Sequence, residues 1–249
     1  MTTADDAPIP RVNLEGTAEG DGRVFQVAQG NLNIDYSTHY HGPVEHGQQP
    51  DAAVEEQEPG WEYMLYATTI KAGLASLDDK WLAYRHGHTI RAARYATLSE
   101  ATQYMSWVIG ESSRIVQSFN QWLSQPLQEE AFGRRGEPGN ASAIQYSARC
   151  LNQLFEEYID LAIELRSASV PREAGRARDL VAELIDLPLR QAQSFMLRLI
   201  ETVERIPQLI AGRDADNPAV VELVVTFSVN QKVRKELSAE LDRLKRAKR

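Results

Sequence analysis

The chain has 249 residues, 43% of them hydrophobic, enough to bury a core in one large domain or two small ones. It carries a formal net charge of -8 and a single cysteine, so an internal disulfide is excluded. No run of about 18 apolar residues occurs, and the opening MTTADDAPIP lacks the basic and apolar regions of a secretory signal, so a cytoplasmic protein is expected.

The charge is unevenly placed. Residues 1 to 60 hold two basic residues, Arg11 and Arg23, against eleven acidic ones, 2 - 11 = -9; from Lys232 onward eight basic residues face three acidic ones, 8 - 3 = +5. Opposite charge predicts attraction within or between chains that salt screens; the alternative is two solvated ends that never meet.

In chain order, residues 1 to 21 and 37 to 59 are rich in Gly, Pro, acids, Gln and His and poor in aliphatic side chains. They cannot offset the entropy of ordering and read as a flexible acidic arm and a flexible linker. Between them, residues 22 to 36 form two alternating segments, Arg23 to Ala28 and Asn31 to Tyr36, around a Gln29-Gly30 turn: a β-hairpin pattern. A lone hairpin is marginal in water, so it needs either another strand, for which Val220 to Val229 is available, or copies of itself. Stacked copies would align Gln26, Asn31 and Asn33 into amide ladders and bury Phe25, Val27, Leu32 and Ile34.

Residues 60 to 212 predict an antiparallel bundle of four to five helices. Trp61, Met64, Leu65, Ile70, Leu74, Leu77 and Trp81 recur at helical spacing, and Gly87 can supply a left-handed cap. Thr97 to Glu100 has the capping-box form ahead of a second apolar face from Ala101 to Leu123. A third face runs from Ile144 to Leu165 and is followed by Pro171. Pro188 and Pro207 lie inside the fourth helical region, so a break is expected near Asp186 to Pro188. Residues 218 to 249 then read as a strand, with Val221, Leu223, Val225, Phe227 and Val229 alternating, and a charged helix. On that helix Val233, Leu237, Leu241 and Leu244 form a stripe that wants a partner surface.

Candidate chemistry is sparse. His39, His41 and His46 sit in a Gly/Pro-rich stretch with no frame to hold four zinc ligands, and His86 and His88 read as helix C-terminal cations. Phosphate-loop, nucleophile-elbow, zincin and paired-cysteine motifs are absent, and Cys150 sits among apolar helix neighbours. Glu156, Glu157 and Asp160 read as a solvated helix face, because the histidines a carboxylate metal bundle needs all precede residue 89. The basic run Arg243 to Arg249 complements a helix dipole, so nucleic acid and membrane are not favoured partners. No catalytic, cofactor or metal residues are assigned.

Phe25-Gln26-Val27-Ala28-Gln29-Gly30-Asn31 resembles the amyloid-forming signalling motifs of innate-immunity proteins, departing from them at Ala28, where glycine is usual. It also resembles short repeats of actinobacterial conflict-system proteins, and the helix opening Trp61-Glu62-Tyr63, with Gly73, Leu77 and Trp81, is similar to uncharacterised actinobacterial domains found with them. The resemblance implies an accessory or adaptor protein of a bacterial defence system acting through self-assembly or a protein partner. The alternative is a membrane-active effector in which helices such as Gln191 to Ile210 insert after assembly.

Overall fold

A computed structural model describes residues 29–35, 61–123, 130–132, 139–211 and 220–247, with side chains described for 61–123, 130–132, 139–205 and 227–246. The described part is mainly α. Its helices are α1 (Trp61–Arg85), α2 (Leu98–Trp122), α3 (Ala141–Ser167), α4 (Gly175–Ala211) and α5 (Gln231–Ala247), with a 3-10 turn at Arg172–Ala174 before α4. The hairpin arm 22 to 28, the arm 1 to 21 and the linker 37 to 59 lie outside the described residues.

Local chemistry sets the helix ends. Thr97 Oγ1 accepts from the Glu100 amide at 3.2 Å, and Glu100 returns to the Thr97 amide at 3.0 Å, which satisfies two otherwise orphaned donors. Asn140 caps α3 through the Ala143 amide, and Asn230 caps α5 through those of Lys232 and Val233. At the end of α1, Gly87 takes φ 68°, the His88 amide bonds Ala83 O and the Gly87 amide bonds Tyr84 O. Those two bonds make a Schellman stop, and glycine enters it without a Cβ penalty.

α3 occupies the centre, packing on α1, α2 and α4. All nine positions of its predicted face, from Ile144 to Leu165, are buried, and on α2 only Ile109 and Trp122 of the ten predicted positions are partly exposed. On α1 every predicted position except Met64 is buried or packs on the core, and two tyrosines join them. Tyr63 and Tyr66 are buried against Phe132, with ring centroids 5.2 and 5.3 Å away, while Met64 lies 41% exposed. Each tyrosine ring gains an aromatic partner as well as burial, which adds to the hold of this end of α1 on the core.

The predicted break at Pro188 does not form: α4 is a single helix of 37 residues. Pro188 cannot donate to Leu184 O, at a cost of about 3 kcal/mol in an isolated helix. Burial of Val181, Ile185, Leu189, Ala192, Phe195, Met196, Leu199 and Val203 along the same helix outweighs it. Polar anchors flank the proline: Asp186 accepts from Tyr84 Oη, meets Arg190 at 2.8 Å and lies 3.6 Å from Arg166. Burial and that carboxylate hold the Tyr84 hydroxyl in its protonated form.

Extended backbone runs at Gln29–Asp35 and Val220–Thr226, paired antiparallel with Leu32 opposite Leu223 and Ile34 opposite Val221. Gln29 and Gly30 lie inside that ladder rather than at a turn, so the expected Gln29-Gly30 hairpin closure is not found. A distant partner of equal length supplies more ladder bonds than a two-residue turn at this point would allow.

The stripe on α5 meets its partner inside the chain. Val233, Leu237 and Leu244 are buried and Leu241 packs on the core, with α5 lying on α4. Arg243 clamps the far end of α5: it donates to Glu240 at 2.6 and 3.0 Å and to Glu173 O at 2.9 Å. The Arg243 guanidinium holds the Glu240 carboxyl below its usual range. A lowered carboxyl stabilises the fold above the ordinary carboxylate range and loses that contribution as pH falls through the lowered value. We therefore expect the urea midpoint to drop on acidification from neutral to about pH 3 more steeply in the wild type than in Glu240→Gln.

Candidate interaction surface

The segment joining α1 to α2 stands apart chemically from the rest of the chain. From Trp81 to Ser99 there are three arginines (Arg85, Arg91, Arg94), two histidines and no acid. Every residue from Arg85 to Arg91 is exposed, as is Arg94. The Schellman stop turns the chain out of α1, and the end of α3 then straps it down: Ile90 N–H donates to Ser167 Oγ at 2.9 Å, and Tyr95 N–H to Ser169 O at 2.8 Å. Ser169 N–H returns to Ala93 O at 3.2 Å. The arginines thus project from a fixed backbone.

An anchor beneath the connector holds it in place. Arg166 of α3 donates to Tyr84 O at 2.7 Å and lies 4.1 Å over the Tyr84 ring, while Tyr84 bonds Asp186 of α4. Three helices therefore meet at the base of the connector.

Aromatic rings continue the surface onto α2. Tyr95 stacks on Tyr104 at 4.4 Å, and Tyr104 on Trp107 at 5.9 Å, with interplanar angles of 21° and 23°. Tyr104 is buried, yet Trp107 is 51% exposed, and Ile90 in the connector is 57% exposed. Burial raises the Tyr95 and Tyr104 hydroxyl pKa values, with the Glu164 charge adding to it. Most other cations in the core region are committed: Lys80 pairs with Glu156 and Asp160, and Arg114 with Glu111 and Glu157. Arg85, Arg91 and Arg94 make no ion pair among the described residues.

The acids considered as a carboxylate pair are thereby placed. Glu156, Glu157 and Asp160 face outward and pair with surface cations, so they form a solvated face, as their spacing predicts. Among the described residues no group of three or more His, Cys, Asp or Glu is positioned to hold a metal ion. Cys150 is half-buried beside Tyr146, and burial raises its thiol pKa. Among the described residues no helix is long and apolar enough to cross a membrane.

Of the residues singled out for assembly, Phe25, Gln26 and Val27 lie outside the described residues. Asn31, Leu32, Asn33 and Ile34 lie on the strand opposite Val224, Leu223, Glu222 and Val221. The connector was missed by a reading built on apolar periodicity. Its signal was nonetheless in the sequence, as a stretch from Trp81 to Ser99 free of acids in a protein of net charge -8.

No known protein family, no characterised protein and no solved structure matches this chain.

Proposed function

We propose that this chain is a non-enzymatic adaptor that works by association, with a second copy of itself or with an acidic segment of a partner protein, in a bacterial defence or signalling system. The observation that carries the reading is the connector surface: three exposed arginines without ion-pair partners among the described residues, on a connector whose Tyr95 begins an aromatic stack that ends at the half-exposed Trp107. Arg, Trp and Tyr dominate the energetics of protein interfaces, and a guanidinium binds carboxylates with two parallel hydrogen bonds.

The chain itself contains a suitable ligand. Residues 36 to 60, directly before α1, hold five acids and no Lys or Arg. Those 25 residues can span about 80 Å extended, against about 37 Å for α1, so the acidic segment reaches a connector on its own copy or a neighbouring one. The commitment is to the neighbouring copy, because each copy then supplies both an acidic segment and a connector, and a reciprocal contact of that kind closes a dimer. The two-stranded ladder supports this reading in a second way. Among the described residues neither strand has another neighbour, and an open edge accepts a further strand by backbone pairing. The defence setting rests on the likeness of Phe25 to Asn31 to signalling motifs.

The test is sedimentation velocity of wild type and Arg85→Glu/Arg91→Glu/Arg94→Glu at low and high salt. Expected is concentration-dependent association of the wild type that weakens as salt rises, and a monomeric variant with an unchanged melting temperature. A wild type that stays monomeric at every concentration, or a variant that associates equally well, would count against the reading.

A further inference from the structure

A cavity of about 350 Å³ opens between α2, α4, α5 and the segment just before α5. Its volume falls within the range of small-molecule sites, about 300–1,000 Å³. Buried apolar side chains form the floor, among them Val116, Ile185, Phe227 and Leu237. The rim is polar and exposed, and two of its groups come from one helix face: Arg234 and Ser238 stand four residues apart on α5.

The polar groups differ in what they have left to offer. Ser112 is engaged with Tyr158 Oη at 2.7 Å, and Ser113 donates to Ile109 O at 3.0 Å. Arg234 makes no ion pair or side-chain hydrogen bond among the described residues, and neither does the Ser238 hydroxyl. An apolar floor with one unpaired guanidinium and one free hydroxyl at its mouth complements a molecule with one apolar chain and one anionic end. The guanidinium fork matches a carboxylate in geometry as well as charge.

We propose that this cavity binds a single linear aliphatic carboxylate, with its chain on the apolar floor and its head on Arg234 and Ser238. The cavity lining shares no residue with the connector surface.

Calorimetric titration of the full chain tests this with decanoate, octanoate and decanol, and with phosphatidylglycerol vesicles as a lipid arm. Saturable binding of one decanoate is expected, with octanoate weaker by about 15-fold, since each methylene carries about 4-fold. Decanol binds more weakly than decanoate, and Arg234→Gln lowers decanoate affinity by about 10-fold or more while leaving decanol unchanged. Ser238→Trp, which blocks the mouth of the cavity from the exposed face of α5, abolishes both without altering the melting temperature. The proposal is overturned by non-saturating decanoate binding, by equal affinity for decanol, by an Arg234→Gln variant that binds decanoate normally, or by binding to vesicles alone.

Discussion

Phe119→Ala is expected to lower the unfolding free energy by about 3–5 kcal/mol, the cost of removing a fully buried ring. For a chain of this length the melting temperature should fall by roughly 10 °C, measurable by circular dichroism or calorimetry. The argument for the large end of the range is structural. Phe119 is fully buried near the C-terminal end of α2 and meets Phe227 at 5.9 Å, and Phe227 is itself 1% exposed in the segment that leads into α5. Loss of the ring leaves Phe227, in the segment leading into α5, without its aromatic partner on α2. A change below about 1 kcal/mol would mean that this region is not packed as described.

Gly73→Ala is expected to destabilise the chain by about 1–3 kcal/mol, although alanine in a helix interior is ordinarily favoured over glycine by about 1 kcal/mol. A Cβ at position 73 would lie 1.9 Å from Asn152 Nδ2, 2.3 Å from its Cγ and 2.9 Å from its Cβ. Rotation of the Asn152 side chain relieves the first two contacts but not the third, because that atom is fixed by the α3 backbone. The side chain is also in use, donating to Thr69 O at 3.2 Å. Helices α1 and α3 must therefore separate, and they form the central pair of the core. Two opposing terms decide the sign, and the steric one wins because no flexible tip is available to yield. Asn152→Gly in the same chain should recover part of the loss, giving a non-additive cycle. If Gly73→Ala raised the melting temperature, the close approach of these two helices would be wrong.

What could be read in the sequence follows how each feature is encoded. The faces of α2 and α3 were legible because a strict helical repeat of aliphatic and aromatic residues has one solution, and Thr97 with Glu100 fixed the start of α2 by local chemistry alone. The repeat on α1 was legible apart from Met64, but the burial of Tyr63 and Tyr66 was not, because their partner Phe132 lies far along the chain. Pro188 was misread for the opposite reason: its local cost is real, but burial along a helix of 37 residues outweighs it, and no local rule contains that sum. The stripe Val233, Leu237, Leu241 and Leu244 is legible as an apolar face, but its packing on the core beside α4 of the same chain is a tertiary fact. The connector needed a different question, the absence of one charge sign over a short stretch, rather than the presence of an apolar pattern.

The stability effects concern the frame, whereas the proposed function rests on recognition of acidic protein segments by the connector. The most direct measurement is fluorescence anisotropy of a labelled peptide of residues 36 to 60 titrated with the full chain. Saturable binding is expected that weakens steeply with salt and is lost in Arg85→Glu/Arg91→Glu/Arg94→Glu. Absence of binding at low salt, or binding undiminished by the charge reversal, would contradict it.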